Sequence, residues 1–174
     1  LVLPPTVMGF FLLLIFGVNQ PIGSFFLNVL GVRIAFSFSA TVIAAVVISF
    51  PIMYSSARGA LEQVDEDLVA AARTLGMSET SIFFKILVPN ALPGIISGGV
   101  LSFARGLGEF GATAMLAGNI VGKTRTLPLA VYGEVVSSDM HSASFYVVVI
   151  IAICFTAVIL LNIYQLWVKK KRGY

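Results

Sequence analysis

Arg105 and Glu109 are the residues of this chain best placed to do chemistry. They stand four apart in Leu92–Gly118, a stretch that is otherwise apolar and rich in small residues. On a helix that spacing sets both on one face, able to pair. Either charge alone at mid-membrane costs about 2.5–3.5 kcal/mol on insertion scales, so a lipid-facing position is disfavoured and a partner or a wet cavity is required. Three uses are open: an ion pair holding a helix bundle together, a cationic contact for an anion in transit, or a proton-carrying carboxylate at Glu109. Gly98, Gly99, Gly106, Gly108 and Gly111 lie in the same segment, where small residues let backbones approach closely and permit a bend.

Other reactive side chains offer less. His141 is the single histidine, in a polar loop, and reads as solvated; Cys154 is the single cysteine, inside an apolar run, so one chain can form neither a disulfide nor a cysteine-based metal site. No catalytic set, metal site or cofactor is expected. The apolar stretches hold neither His nor Asp, which disfavours an intramembrane protease. No Gly-x-x-x-x-Gly-Lys-Ser/Thr sequence is present, so any ATP chemistry belongs to a partner.

A second constellation is the polar, charged stretch Ala70–Pro89, AAARTLGMSETSIFFKILVP, set between membrane-length apolar runs. Val64, Leu68, Ala71, Ala72 and Leu75 recur at helical spacing, Gly76 stands where a glycine ends a helix, and Ser78 is placed to cap the next one. Phe83, Phe84, Leu87 and Val88 give that second helix an apolar side, and Pro89 is expected to stop it. A compact helix–turn–helix in water between membrane spans is a candidate docking element.

The elements that must position these residues are membrane helices. Of 174 residues, 58% are hydrophobic and 11% charged, with a mean hydropathy of +0.99. A soluble domain carries about a quarter charged residues, so lipid is the simpler solvent. The net charge of +3 is small, and no nucleic-acid partner is expected. Four apolar stretches are predicted to span: Leu1–Val18, marginal in length and opened by Pro4-Pro5; Ala35–Tyr54; Leu92–Gly118; and Ala143–Val168, ending in Trp167 at an interface.

Lys169, Lys170, Lys171 and Arg172 follow the last span and place the C-terminus in the cytoplasm. Four crossings then put residues 55–91 on the same side, with Arg58, Arg73 and Lys85; only Arg33, Lys123 and Arg125 lie in the opposite loops. Prolines 51, 89 and 93 suggest non-helical joints around the cytoplasmic loop. Of the outer loops, 19–34 has room for a short surface helix, and 119–142 for a re-entrant turn or a helix from Leu127 to Val136. No internal repeat or linker is visible, so the expectation is one all-α, polytopic membrane domain, 1–174, with a coupling loop at about 55–91. Because the chain begins at Leu1 inside an apolar run, a further N-terminal span is expected to precede it.

At the cytoplasmic loop the chain resembles the permeases of binding-protein-dependent ABC importers. Their motif is Glu-Ala-Ala, three residues, Gly, nine residues, then Ile-x-Leu-Pro. Here Ala70-Ala71-Ala72, then Gly76, then nine residues from Met77 to Lys85, then Ile86-Leu87-Val88-Pro89 meet the spacing throughout. Ala70 replaces the motif's Glu and Val88 its Leu, while Glu66 and Asp67 lie one turn upstream. Within that superfamily the chain looks like the molybdate transporter permeases, through LVLPPTVMGFFLL (Leu1–Leu13), AARTLG (Ala71–Gly76), LPGIISGGVLSFARGLGEFGATAMLAGN (Leu92–Asn119) and TRTLPLAVY (Thr124–Tyr132). Sulfate and tungstate permeases share a related block.

The resemblance implies a type I importer fold in the inner membrane and a homodimer of permeases with the translocation path between them. It also implies two cytoplasmic ATPase subunits and a periplasmic or extracellular oxyanion-binding protein. Ala70, Ala71, Ala72, Gly76, Ile86 and Pro89 would couple to the ATPase. The implied function is ATP-driven oxyanion import, with molybdate favoured over sulfate or tungstate. Rival readings from the residues are a proton-coupled secondary transporter using Glu109 and a structural membrane subunit without a path.

Overall fold

The computed structural model describes residues 3–172 of the chain. Leu1, Val2, Gly173 and Tyr174 lie outside the described residues, as do the side chains of Trp167 and of Lys169–Arg172, on which the interface and charge-bias expectations rest. All regular structure among the described residues is helical.

Proline starts three of the helices. Pro5 opens α1 (Pro5–Phe16), Pro21 opens α2 (Pro21–Leu30), and Pro128 is second in α8 (Leu127–Val136). In a first turn the N–H that proline lacks would have no intrahelical partner anyway. The Pro4-Pro5 pair thus begins a helix. The expected single span Leu1–Val18 becomes a pair: α1 and α2 are apolar enough to cross together but are bent by 50°. Gly23 makes the bend possible, since a Cβ there would fall 2.0 Å from the Gly17 carbonyl oxygen.

Three further elements carry the membrane-length helices. These are α3 (Phe38–Glu62), the continuous helical stretch Glu79–Leu107, and α9 (Met140–Arg172). The most apolar windows of the three are only 22, 17 and 6% buried within the chain. Phe38, Leu101, Val148 and Phe155 are 60–70% exposed, as only a lipid or protein partner would tolerate. With the bent pair there are up to four spans, three without it.

Two expectations about prolines fail. Pro51 and Pro93 lie inside α3 and α6 (Val88–Leu107), and Pro89 does not end the helix begun at Glu79. Between α5 (Glu79–Ile82) and α6 the backbone widens into a π turn, Phe83–Leu87, in which the Val88 N–H bonds the Phe83 carbonyl. That change of hydrogen-bond register leaves Pro89 in the first turn of α6, where it is tolerated. The Asn90 side-chain amide donates to the Ile86 carbonyl at 2.8 Å and helps carry the helix past the proline.

The third expected span, Leu92–Gly118, is also not one helix. Helix α6 ends at Leu107 and a separate short helix, α7 (Gly111–Leu116), follows. The described residues form two compact units, 3–50 with 103–155, and 51–102 with 156–172.

In the first unit α7 lies along α1. Leu12, Ala40, Leu116 and Ala117 form its centre, and Ala44, Ile48 and Ala112 continue it. Gly9 permits the approach, for a Cβ there would meet the Ala112 Cα at 2.6 Å. In the second unit α3 and α6 cross through two small pairs, Gly98 on Ser56 and Gly94 on Ala60. Small residues four apart on each helix are a packing device suited to lipid.

Candidate functional site

The stretch 65–87 folds as a small helical knob in the second unit. Asp65 caps α4 (Glu66–Thr74) by accepting the Asp67 N–H at 2.9 Å. At the other end the Met77 N–H bonds the Ala72 carbonyl at 3.2 Å and the Gly76 N–H bonds the Arg73 carbonyl at 2.9 Å. This is the Schellman closure, and Gly76 supplies the left-handed residue it needs, with φ +76°. Nothing lies within 4 Å of a Cβ built at Gly76, so the torsion and not crowding selects glycine. Ser78 then caps α5 by accepting the Ser81 N–H at 3.4 Å.

A bidentate ion pair spans the turn. Arg73 donates from Nε to Glu79 Oε1 at 2.7 Å and from Nη2 to Oε2 at 3.1 Å. Both groups are exposed, so the pair orients the two helices more than it stabilises them. Six residues apart and across a turn, it escapes any helical-spacing rule; only the closure at Gly76 brings the two together.

Of the residues singled out in the loop, Ala70, Ala71, Gly76 and Pro89 are exposed, Ile86 is half-buried, and Ala72 is buried beneath them with Ile82. The apolar stripe read from Leu68 and Leu75 is not covered by this chain. Leu75 is 81% exposed, Leu68 48%, and Phe84 65%. The knob therefore presents a capped, hydrogen-bonded surface with unburied apolar side chains.

The second site is the break between α6 and α7. Glu109 lies in the break itself, not on a helix face. Arg105 Nη1 lies 2.9 Å from Glu109 Oε2, and the Ala112 N–H donates to Glu109 Oε1 at 2.8 Å. Glu109 is 2% exposed and Arg105 about a third. The cation occupies the last turn of α6 and the carboxylate the start of α7, and each helix end favours the charge it holds. Leu116 and Phe36 fix the far end of α7: the Phe36 N–H bonds the Leu116 carbonyl at 3.0 Å, with Phe36 itself at φ +59°.

A third polar cluster was not visible in the sequence. Arg125 pairs with Glu134 on α8 at 2.8 Å and donates to Asn119 at 3.1 Å. Thr124, buried, accepts the Ile120 N–H at 3.0 Å. Together these fold residues 119–126 against the short helix Leu127–Val136, whose place the sequence did indicate. His141 is exposed at the start of α9, and Cys154 is a free, half-buried thiol. No group of His, Cys, Asp or Glu among the described residues is arranged to hold a metal ion.

Comparison with known proteins gives these shapes a context. The family described as "Binding-protein-dependent transport system inner membrane component" matches residues 1–173. The "Molybdenum transport system permease protein ModB" of Escherichia coli K12 is 52% identical over 132 residues, 76% of this chain and 58% of that protein. The Haemophilus influenzae protein of the same name is 46% identical over the same shares. That of Mycobacterium tuberculosis is 42% identical over 153 residues, 87% of this chain and 58% of its own length. The chain thus spans somewhat over half the length of these relatives. Helical throughout its regular structure among the described residues, with many exposed apolar side chains and a match almost end to end, the chain belongs to the family of inner-membrane components of binding-protein-dependent transport systems, a family of membrane transport subunits and not of enzymes.

Proposed function

We propose that this chain is a permease subunit of an ATP-driven oxyanion importer, with molybdate the favoured substrate. The observation that carries the reading is the capped, exposed knob: a closed helix–turn–helix, its Leu75 and Phe84 uncovered, at the motif spacing of importer permeases. Ala70, Ala71, Ala72, Gly76, Ile86 and Pro89 supply its shape, and a cytoplasmic ATPase subunit supplies its cover. Two permeases form the path in the bilayer, and an extracytoplasmic binding protein delivers the oxyanion. The relatives' names support molybdate, while the related sulfate and tungstate permeases are the alternatives within the same chemistry. The knob and the C-terminus face the cytoplasm, as the positive charges of the loop and tail favour.

ATP binding closes the ATPase dimer, draws the knobs together and opens the helices outward; hydrolysis resets them. The continuous helix from Glu79 to Leu107 suits this work, since it joins the knob to a membrane span without a non-helical joint. Cargo affinity resides in the binding protein, because tight binding to one state of the path would hold the permease there. Both Glu109 oxygens are engaged, one by Arg105 and one by the Ala112 N–H, and this counts against a proton-coupled transporter.

Reconstitution tests the reading. The complete permease, its ATPase and the binding protein in vesicles should take up molybdate with ATP and continue after the proton gradient is collapsed. Uptake that follows the proton gradient and ignores ATP would refute it.

A further inference from the structure

We propose that Arg105 is a transient contact for a tetrahedral oxyanion in the path, with Glu109 as its anchor; this deepens the importer reading and rests on it. Arg105 is the one cation in the apolar stretch Leu92–Gly118. A guanidinium carries five N–H donors. Among the described residues its one ion pair is the Nη1 contact with Glu109 at 2.9 Å, and about a third of the side chain remains exposed.

Glu109 is in a different condition. One oxygen accepts the Ala112 N–H, the other faces Arg105, and the carboxylate is 2% exposed. Both oxygens of the anion are engaged and hidden, while the cation is held in place with donors to spare. The neighbours leave room: a Cβ at Gly108 would meet nothing closer than 3.7 Å.

The chemistry fits a dianion with four equivalent oxygens, because a guanidinium's planar fork engages two such oxygens at once. The pairing also sets the strength. A lone arginine in apolar surroundings would trap a dianion, whereas one already neutralised by a carboxylate holds it weakly and lets it pass. Arg105 stands in the last turn of α6, and the first turn of that helix follows the knob directly in the sequence. With the knob inside, that last turn is where cargo released from an outer binding protein arrives.

The test is a double variant, Arg105→Gln with Glu109→Gln, in the complete permease–ATPase complex supplied with molybdate-loaded binding protein. The side-chain amide carbonyl introduced at position 109 can still accept from Ala112, and no buried charge is left unpaired. We expect assembly and binding-protein-stimulated ATP hydrolysis to persist while molybdate moved per ATP falls about tenfold. Glu109→Gln alone, which keeps the cation but removes the charge that neutralises it, should leave molybdate retained on the complex after turnover, as the double variant should not; equal retention by the two variants would also overturn the contact.

A double variant that moves as much oxyanion per ATP as wild type overturns the contact, as does one in which hydrolysis and transport fall in equal proportion. A lipid phosphate is the other source of this chemistry. The wild-type advantage should survive in vesicles of phosphate-free galactolipid; its disappearance there would assign Arg105 to headgroups and overturn the proposal. A wild-type complex that moves no oxyanion with ATP would overturn the importer reading and this contact with it.

Discussion

The knob at 65–87 and the break at 105–116 each join two helices through a glycine-bearing turn and an arginine–glutamate pair, yet they are built on opposite terms. In the knob the pair is bathed in solvent, the turn is closed by backbone bonds within six residues, and apolar side chains point outward. At the break the carboxylate is buried, and α7 is held by α1 and by the segment around Phe36. One is a local structure that carries its own instructions; the other exists because the rest of its unit surrounds it. The contrast suits the proposed roles, since a docking element must keep its shape when uncovered and a membrane break need not.

The sharpest way to test that contrast is to remove each arginine. Arg105→Ala strands a buried carboxylate, a class of change costing about 3–5 kcal/mol for a fully buried pair; partial exposure of Arg105 places it near the lower end. Thermal unfolding of the purified permease in detergent should show the loss, and adding Glu109→Gln should recover a large part of it. A double variant as unstable as the sum of the two singles would mean that the residues act separately.

Gly9→Val probes what holds the break in place. Its Cβ would sit 2.6 Å from the Ala112 Cα, and backbone cannot step aside as a flexible side chain can. A loss of about 2–3 kcal/mol, within the usual range for overpacking, should appear as a lower midpoint and reduced yield of folded protein. Wild-type stability here would show that α7 does not depend on α1.

Gly76→Val tests the knob's turn by torsion alone, for no atom lies within 4 Å of the new Cβ. Forcing a β-branched residue to φ +76° should cost about 1–2 kcal/mol. Because the strain is local, the membrane helices should unfold at nearly the wild-type temperature while ATPase co-purification weakens. Gly76→Asn should do far less damage, since Asn tolerates that torsion.

The smallest effect is expected from Arg73→Ala. Both members of its pair are more than half exposed, so the unfolding midpoint should barely move, and the small change should shrink further in high salt. A loss comparable to that of Arg105→Ala would erase the distinction between the two regions.

Much of the knob was legible because its signals are short-range. Gly76, Ser78 and the helical repeat before them act over a few residues, and the structure places a Schellman turn and a serine cap at those positions. Helix Leu127–Val136 was legible for the same reason, with proline in its first turn and apolar residues through it. Pro89 misled because its usual meaning, a helix stop, depends on the hydrogen-bond register it meets. A π turn just upstream makes that register permissive.

Composition and local chemistry by themselves determined that this chain is a set of lipid-solvated helices with one self-closing polar turn, because hydropathy and left-handed torsions are properties of residues and their nearest neighbours. Packing alone decided that Leu92–Gly118 is interrupted at Gly108–Phe110 and that Glu109 ends buried at the head of α7. It also decided that Arg125 meets Glu134 and that Leu75 and Phe84 stay uncovered. Those outcomes turn on which backbones can come within a few ångströms of each other and which charges find partners there, and no window along the chain contains that information.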